Sequence, residues 1–201
     1  MKEAKLALTE IIQEILQDDK LKIIETNNIT LLFQGFYPED CVEIEINNNY
    51  YMIHEVHRKT KYLKLKTKEK SDAIVYAIIL YKRLYDNLLN GEISKNIKVF
   101  MDNRNEEKAL ECIKNKFSPL IYSLEREERG KISFIKVNNK VDVKFNKRYI
   151  AKGAKLDRAY IVFYNFCAKL EHISLFCDIL QNKLGNVINR DRIFDMYLFG
   201  E

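Results

Sequence analysis

Val42-Glu43-Ile44-Glu45-Ile46 alternates apolar and acidic residues at a period of two, and three asparagines, Asn47 to Asn49, follow it. Tyr50-Tyr51-Met52-Ile53-His54-Glu55-Val56 comes next, then the basic run Lys61 to Lys66, then a long apolar stretch from Glu69 to Asn90 before Gly91. Strict alternation giving way to helical periodicity predicts a β-hairpin, a third strand and a covering helix. In that helix Ile74, Ala77, Ile78, Tyr81, Tyr85 and Leu88 define one face, while Val75, Ile79 and Leu80 add apolar surface elsewhere. A helix apolar nearly all round needs more than one neighbour to cover it. Lys82, Arg83, Asp86 and Asn87 gather in its second half, which is expected to be the wetter end.

Working outward, residues 3–17 predict an amphipathic helix with Ala4, Leu8, Ile11, Ile12 and Ile15 on its apolar stripe. Lys22 to Glu25 and Ile29 to Phe33 read as short strands around the turn-prone Asn27-Asn28, and Gly35 to Asp40 as a loop. Beyond Gly91, Ile97 to Met101 reads as a strand and Asn105 to Phe117 as a helix ended by Ser118-Pro119. Strands are expected at 120–124, 131–137 and 141–145, the last two joined by Asn138-Asn139. A basic segment, Lys147 to Lys155, leads into a long helix from near Asp157 to before Gly185, and 190–199 forms a last short helix.

The two halves repeat one order: helix, strands, an asparagine turn, a basic segment and a long helix. Asp72-Ala73-Ile74-Val75-Tyr76 corresponds to Arg158-Ala159-Tyr160-Ile161-Val162-Phe163. The expected architecture is α+β in two similar units, 1–91 and 92–201, each a small antiparallel β-sheet covered by helices. Tandem duplication would produce this, and so would the general habit of antiparallel sheets to be covered by helices.

Composition narrows the class. With 47% hydrophobic residues, six glycines and two prolines, the chain can bury a core and has little linker material. No uncharged apolar run of about eighteen residues suggests a membrane span, and no basic-then-apolar leader is read at the start. Cys41, Cys112, Cys167 and Cys177 lack the two-residue spacing of a zinc knuckle or redox pair, so they are expected to be buried thiols in a reducing cytoplasm. The net charge of +5 comes from lysine-rich, arginine-poor composition and bears on solubility rather than on any one partner.

Catalytic motifs are missing. His54 and His57 lie three apart on a strand, which turns them to opposite faces, and His54-Glu55-Val56-His57 is one residue short of the helical zinc-protease spacing. The glycines form no phosphate loop, and no serine sits in a nucleophile elbow. Glu43 and Glu45 share a strand face, as solvated alternating glutamates do. No enzyme activity, cofactor or metal is expected.

Two candidate surfaces remain. Lys61, Lys64 and Lys66 on the third strand, with Lys144, Lys147 and Arg148 in the second half, suit phosphate contact; they equally suit a lysine-protected sheet edge. On the third strand Leu63 and Leu65 are expected inward, with Lys64 and Lys66 outward. Exposed aromatics beside the glutamates would instead make a protein-binding face.

The stretch Tyr50 to Arg58, followed by Lys64 to Thr67 and the helix opening on Asp72-Ala73, resembles immunity proteins of bacterial polymorphic toxin systems. These carry an aromatic strand with an acidic-then-basic end, a Lys/Thr-rich strand and an Asp/Glu-Ala helix. The resemblance covers about forty residues, and a second pass near Val141 to Leu170 lacks the acidic–basic strand end. It implies a cytoplasmic protein that binds one cognate toxin domain and occludes its active site, with Glu43, Glu45, Tyr51, Glu55 and Arg58 as contact residues. The alternative is a nucleic-acid-binding accessory protein using the lysine-rich strand faces.

Overall fold

The structure, a computed structural model, describes residues 2–88, 91–185 and 188–201, with side chains from residue 8 onward. The fold is mixed α+β, with a five-stranded antiparallel sheet, a four-stranded mixed sheet and six helices among the described residues. The chain divides into two compact units, one comprising Met1–Asp86 with Phe176–Glu201, the other Asn87–Leu175. The residues from Phe176 on, expected with 92–201, group with the N-terminal residues instead.

In the first unit, helix α1 (Lys2–Leu16) precedes strands β1 (Lys22–Glu25), β2 (Ile29–Phe33), β3 (Asp40–Asn47), β4 (Tyr50–His57) and β5 (Thr60–Thr67), which pair in chain order. The Ala4 side chain, expected on the α1 stripe, lies outside the described residues. Asn48 and Asn49 both take positive φ at the β3–β4 turn, the left-handed geometry that asparagine tolerates and that matches strand twist. Helix α2 (Lys70–Tyr85) then crosses the sheet face lined by Leu32, Val42, Ile44, Ile53 and Leu65, all buried.

Nine consecutive α2 residues, Ala73 to Tyr81, are buried. The sheet covers one side, and α1 and α6 (Arg190–Phe199) cover others. Fully burying each large side chain contributes about 1.5–3 kcal/mol, so this helix is the centre of the unit's core. The second half of α2, expected to be wet, is closed by α6. Tyr197 donates to Asp86 at 3.0 Å, and Lys82 pairs with Asp86 at 3.1 Å in half-buried surroundings. The helix expected to reach Asn90 ends at Tyr85, with Leu89 and Asn90 outside the described residues.

In the second unit, Ile97–Met101 is not a strand. It belongs to helix α3 (Gly91–Asp102), which Gly91 begins rather than ends a predecessor. The alternation of Ile97, Val99 and Met101 is an accident of a five-residue window, because Ile93, Ile97 and Phe100 repeat at helical spacing, with Ile97 buried and Val99 exposed. Helix α4 (Glu106–Lys116) follows, its first turn capped by the Asn105 side chain accepting from the Lys108 amide at 3.2 Å. Strands β6 (Tyr122–Leu124), β7 (Ile132–Val137), β8 (Lys140–Phe145) and β9 (Arg148–Ala154) pair in chain order.

The purely antiparallel sheet expected here is corrected: β6 and β7 run parallel. Parallel neighbours normally need a long crossover. A three-residue strand is only about 10 Å long, and the seven residues 125–131 can span about 23 Å, so a short return suffices. Ser123 and Ser133 hydroxyls hold that return, bonding the Arg126 carbonyl and the Glu128 amide. The basic segment 148–154, not foreseen as a strand, is β9. Its register shifts against β8, and Gly153, at φ 58°, donates its amide to Asp142. The core under this sheet is aromatic, with the Phe134 ring 4.8 Å from Tyr160 and 5.1 Å from Phe163. Both partners lie on helix α5 (Leu156–Leu184), whose residues to 175 count with this unit. None of the described helices is long and apolar enough to cross a membrane.

Candidate functional site

Strand β4 carries charge on both faces, and the alternation of side chains decides which neighbours each charge meets. Glu55 shares the α2 side with Ile53 and is 4% exposed. Arg83 of α2 donates to its carboxylate at 2.5 Å, Lys64 pairs with it at 3.2 Å, and His57 Nε2 lies 2.9 Å away. His57 Nδ1 in turn meets Asp40 at 3.0 Å. Lys64 also donates to the Gly200 carbonyl at the end of α6, at 2.7 Å.

Burial pushes the Glu55 carboxyl up, but the Arg83 guanidinium, the His57 ring and the Lys64 ammonium outweigh it and hold the group below the usual glutamate range. Burial likewise works against the charged His57 ring, and its bonds to Asp40 and Glu55 prevail, raising its pKa. A carboxylate so enclosed is a structural hub, fixing strand, helix and C-terminus to one another.

Glu55, read from the sequence as a partner contact, is thus enclosed, and so is Glu43. Glu43 lies on the opposite face of the sheet, 5% exposed, with Lys61 at 2.5 Å. Glu45 on the same face is half-buried, and the pairing sets His54 of β4 directly across from Glu43. His54 and His57 do turn to opposite faces. Beside them Phe33, Cys41 and Val56 form a small buried cluster. Burial pushes the Cys41 thiol up to about 11, so it is an unreactive neighbour.

Lys64 is turned to Glu55 rather than outward because β4 and β5 slip register between Ile53 and His54. The bulge sets Leu65 against Ile53 and Leu63 against His54, so Leu65 is buried and Leu63 is 55% exposed. Sequence alternation alone gives no sign of such a slip.

At the tip of this hairpin Arg58 and Lys59 both take positive φ, 45° and 73°. Both are exposed, and with Tyr37, Pro38 and Glu39 they line an open concavity of about 680 Å³. Phe36 and Tyr37 in the adjoining loop are 91% and 77% exposed, with Lys22 over the Phe36 ring. Of the expected contact residues, Arg58 is on this rim, Tyr51 and Glu45 are half-buried, and Glu43 and Glu55 are enclosed. The loop aromatics were not singled out from the sequence. Two adjacent aromatics in a Gly/Pro-bounded loop were the available signal.

Three of the six cations named for phosphate contact are paired with carboxylates. Lys61 meets Glu43, Lys64 meets Glu55, and Lys144 meets Glu127 at 3.2 Å. Lys147 is exposed at the β8–β9 turn and Arg148 is half-buried. Each unit nevertheless holds a tyrosine under two ammonium groups. Lys66 and Lys68 lie 4.5 and 5.1 Å from the Tyr50 ring centre, and Lys144 and Lys152 lie 4.5 and 5.1 Å from that of Tyr149.

Compared with protein-family models, with curated proteins and with solved structures, the chain matches none.

Proposed function

We propose that the chain is an immunity protein that binds and neutralises a cognate bacterial toxin domain in the cytoplasm by occluding its active site, with no reaction of its own. The observation that carries this reading is the hairpin tip. Phe36 and Tyr37 stand almost wholly in solvent beside Arg58 and Lys59, around a concavity. Aromatic and arginine side chains concentrate in the energetic centres of protein interfaces, and a tip of this composition fits a partner surface bearing carboxylates. The short resemblance to immunity proteins runs through the same strand end.

The test is capture of the tagged protein from nuclease-treated lysate of its source, with mass spectrometry. The expected result is one stoichiometric partner carrying a toxin-like C-terminal domain. Phe36→Ser and Tyr37→Ser are each expected to weaken that complex by about 30-fold or more. A partner whose affinity ignores both substitutions would overturn the tip as the contact surface.

A second reading has its own observation. Tyr50 and Tyr149, each flanked by two lysines, resemble the stacking-plus-charge elements that bind single-stranded nucleic acid. Lys66 and Lys147, both exposed, would add phosphate contacts. It expects oligonucleotide binding that falls steeply with salt and weakens on Tyr149→Ala; salt-insensitive or absent binding ends it. The shared order of three antiparallel strands and a helix, β3-β4-β5-α2 and β7-β8-β9-α5, supports descent of the two units from one module. The parallel β6 of the second unit and the extra β1 and β2 of the first would then be later additions.

A further inference from the structure

Glu43 and Glu45 stand two apart on β3 and so share a face, and the register sets His54 of β4 opposite Glu43. One donor atom from each of the three lies within 4.8 Å of the other two. His54 is only 9% exposed, yet its buried Nδ1 has no hydrogen-bond partner and stands 3.6 Å from the Glu43 carboxylate. A buried ring nitrogen left without a bond costs about 1–3 kcal/mol, which a ligand at that point would recover.

We propose that Glu43, Glu45 and His54 bind a divalent first-row transition metal, with His54 ligating through Nδ1. One imidazole with two carboxylates suits Zn²⁺ or its neighbours better than the all-oxygen preference of Ca²⁺ or Mg²⁺. Donors at about 2.1 Å around a tetrahedral ion sit about 3.4 Å from one another. The Glu43–His54 separation is already near that value, and half-buried Glu45 has the freedom to close the remainder. Three protein donors leave one position for water or for a donor from a partner.

Lys61 holds the place of the cation when no metal is bound. Its ammonium lies 2.5 Å from Glu43, on a side chain 46% exposed that can swing into solvent. Displacement of Lys61 sets the affinity below that of a dedicated structural zinc site. It also gives the proposal a signature, since removing Lys61 should tighten binding rather than loosen it. The distances between these residues in sequence hide the set: the carboxylate beside His54 in the chain, Glu55, points to the other face.

The test is titration of the full chain with CoCl₂ by visible absorption and with ZnCl₂ by calorimetry. It is repeated in His54→Gln, Glu45→Gln and Lys61→Met, each checked for fold by circular dichroism. One saturable site is expected, at least tenfold weaker in the first two variants and several-fold tighter in the third. In the unaltered protein, one equivalent of Zn²⁺ should shift the ¹⁵N resonance of His54 Nδ1 and leave those of His57 unmoved. That reading needs no variant to fold. Absence of saturable binding, an unmoved His54 resonance, or Co²⁺ spectra dominated by thiolate charge transfer would each overturn the proposal.

Discussion

Glu55→Gln isolates the value of the enclosed carboxylate, because glutamine keeps the shape and removes the charge. The substitution leaves Arg83, 29% exposed, and Lys64, 20% exposed, without their counter-ion under α2 and α6. Removing one partner of a fully buried ion pair costs about 3–5 kcal/mol. Both cations here retain some access to water, which lowers the expected loss to about 2–4 kcal/mol. The chain divides into two compact units, so a global denaturation signal would mix two transitions. Native-state hydrogen exchange of the β3–β5 amides reads the first unit directly. A loss of that size accelerates their exchange by about 30- to 900-fold, at 1.36 kcal/mol per tenfold. Adding Arg83→Met should recover at least about 1 kcal/mol over the sum of the single losses, since it removes one of the two cations that Glu55→Gln leaves without a counter-ion. Acceleration below about threefold in Glu55→Gln would refute the hub role.

The same network sets a pH dependence. Glu55 has a lowered folded pKa, so its contribution is complete above the unfolded value, near 4.5, and is lost as pH falls through the folded one. His57 has a raised folded pKa, so its contribution is complete below about 6.5 and is lost as pH rises through the folded value. Stability of the first unit should therefore be greatest between those limits, and His57→Gln should flatten the decline on the alkaline side in exchange measured from pH 6 to 8. Gly200 ends α6 at φ 78°, and a Cβ there would stand 2.7 Å from the Arg83 guanidinium. Gly200→Ala is expected to cost about 1–2 kcal/mol by the same exchange measurement. Burial raises all four thiols, pushing Cys41 and Cys177 up to about 11 and Cys167 well above the usual thiol range, and Cys112 is the most accessible. A thiol reagent at pH 8 should therefore label one cysteine quickly, and peptide mapping should place the label at Cys112. Replacing Arg58-Lys59 by Asn-Gly should stabilise the hairpin by about 1 kcal/mol while weakening the proposed complex.

Much of the fold was legible wherever one periodicity ran long enough. The boundaries of β3, β4, β5 and α5 fall within two residues of expectation, because alternation and helical spacing there leave little choice. Short windows failed: five alternating residues inside α3 imitated a strand. In β9, Arg148 and Lys152 obscured a pattern whose register is itself irregular. The site was less legible for a different reason. Glu43 reads as a solvated strand glutamate and Glu55 as a partner contact, and the burial of both depends on cations that register and helix packing deliver. Lys61 is 18 residues from Glu43, and Arg83 is 28 from Glu55. A strand's own sequence says which residues share a face, but the enclosing partners come from elsewhere.

The turns support placing the proposed contact at the tip rather than on the charged strand faces. Asn48-Asn49 and Arg58-Lys59 both place two consecutive residues in the left-handed region. Asparagine accepts that backbone cheaply, whereas for arginine and lysine it costs about 1 kcal/mol or more per residue. The β3–β4 turn therefore has the residues its geometry favours, and the β4–β5 turn has residues its geometry opposes. Their charge adds nothing to the hub, which is already enclosed by Arg83, Lys64 and His57. What the two side chains share is position: both project into solvent around the concavity beside Tyr37. Local strain retained at an exposed turn, next to aromatics that burial has not claimed, is the expected mark of residues kept for what they touch.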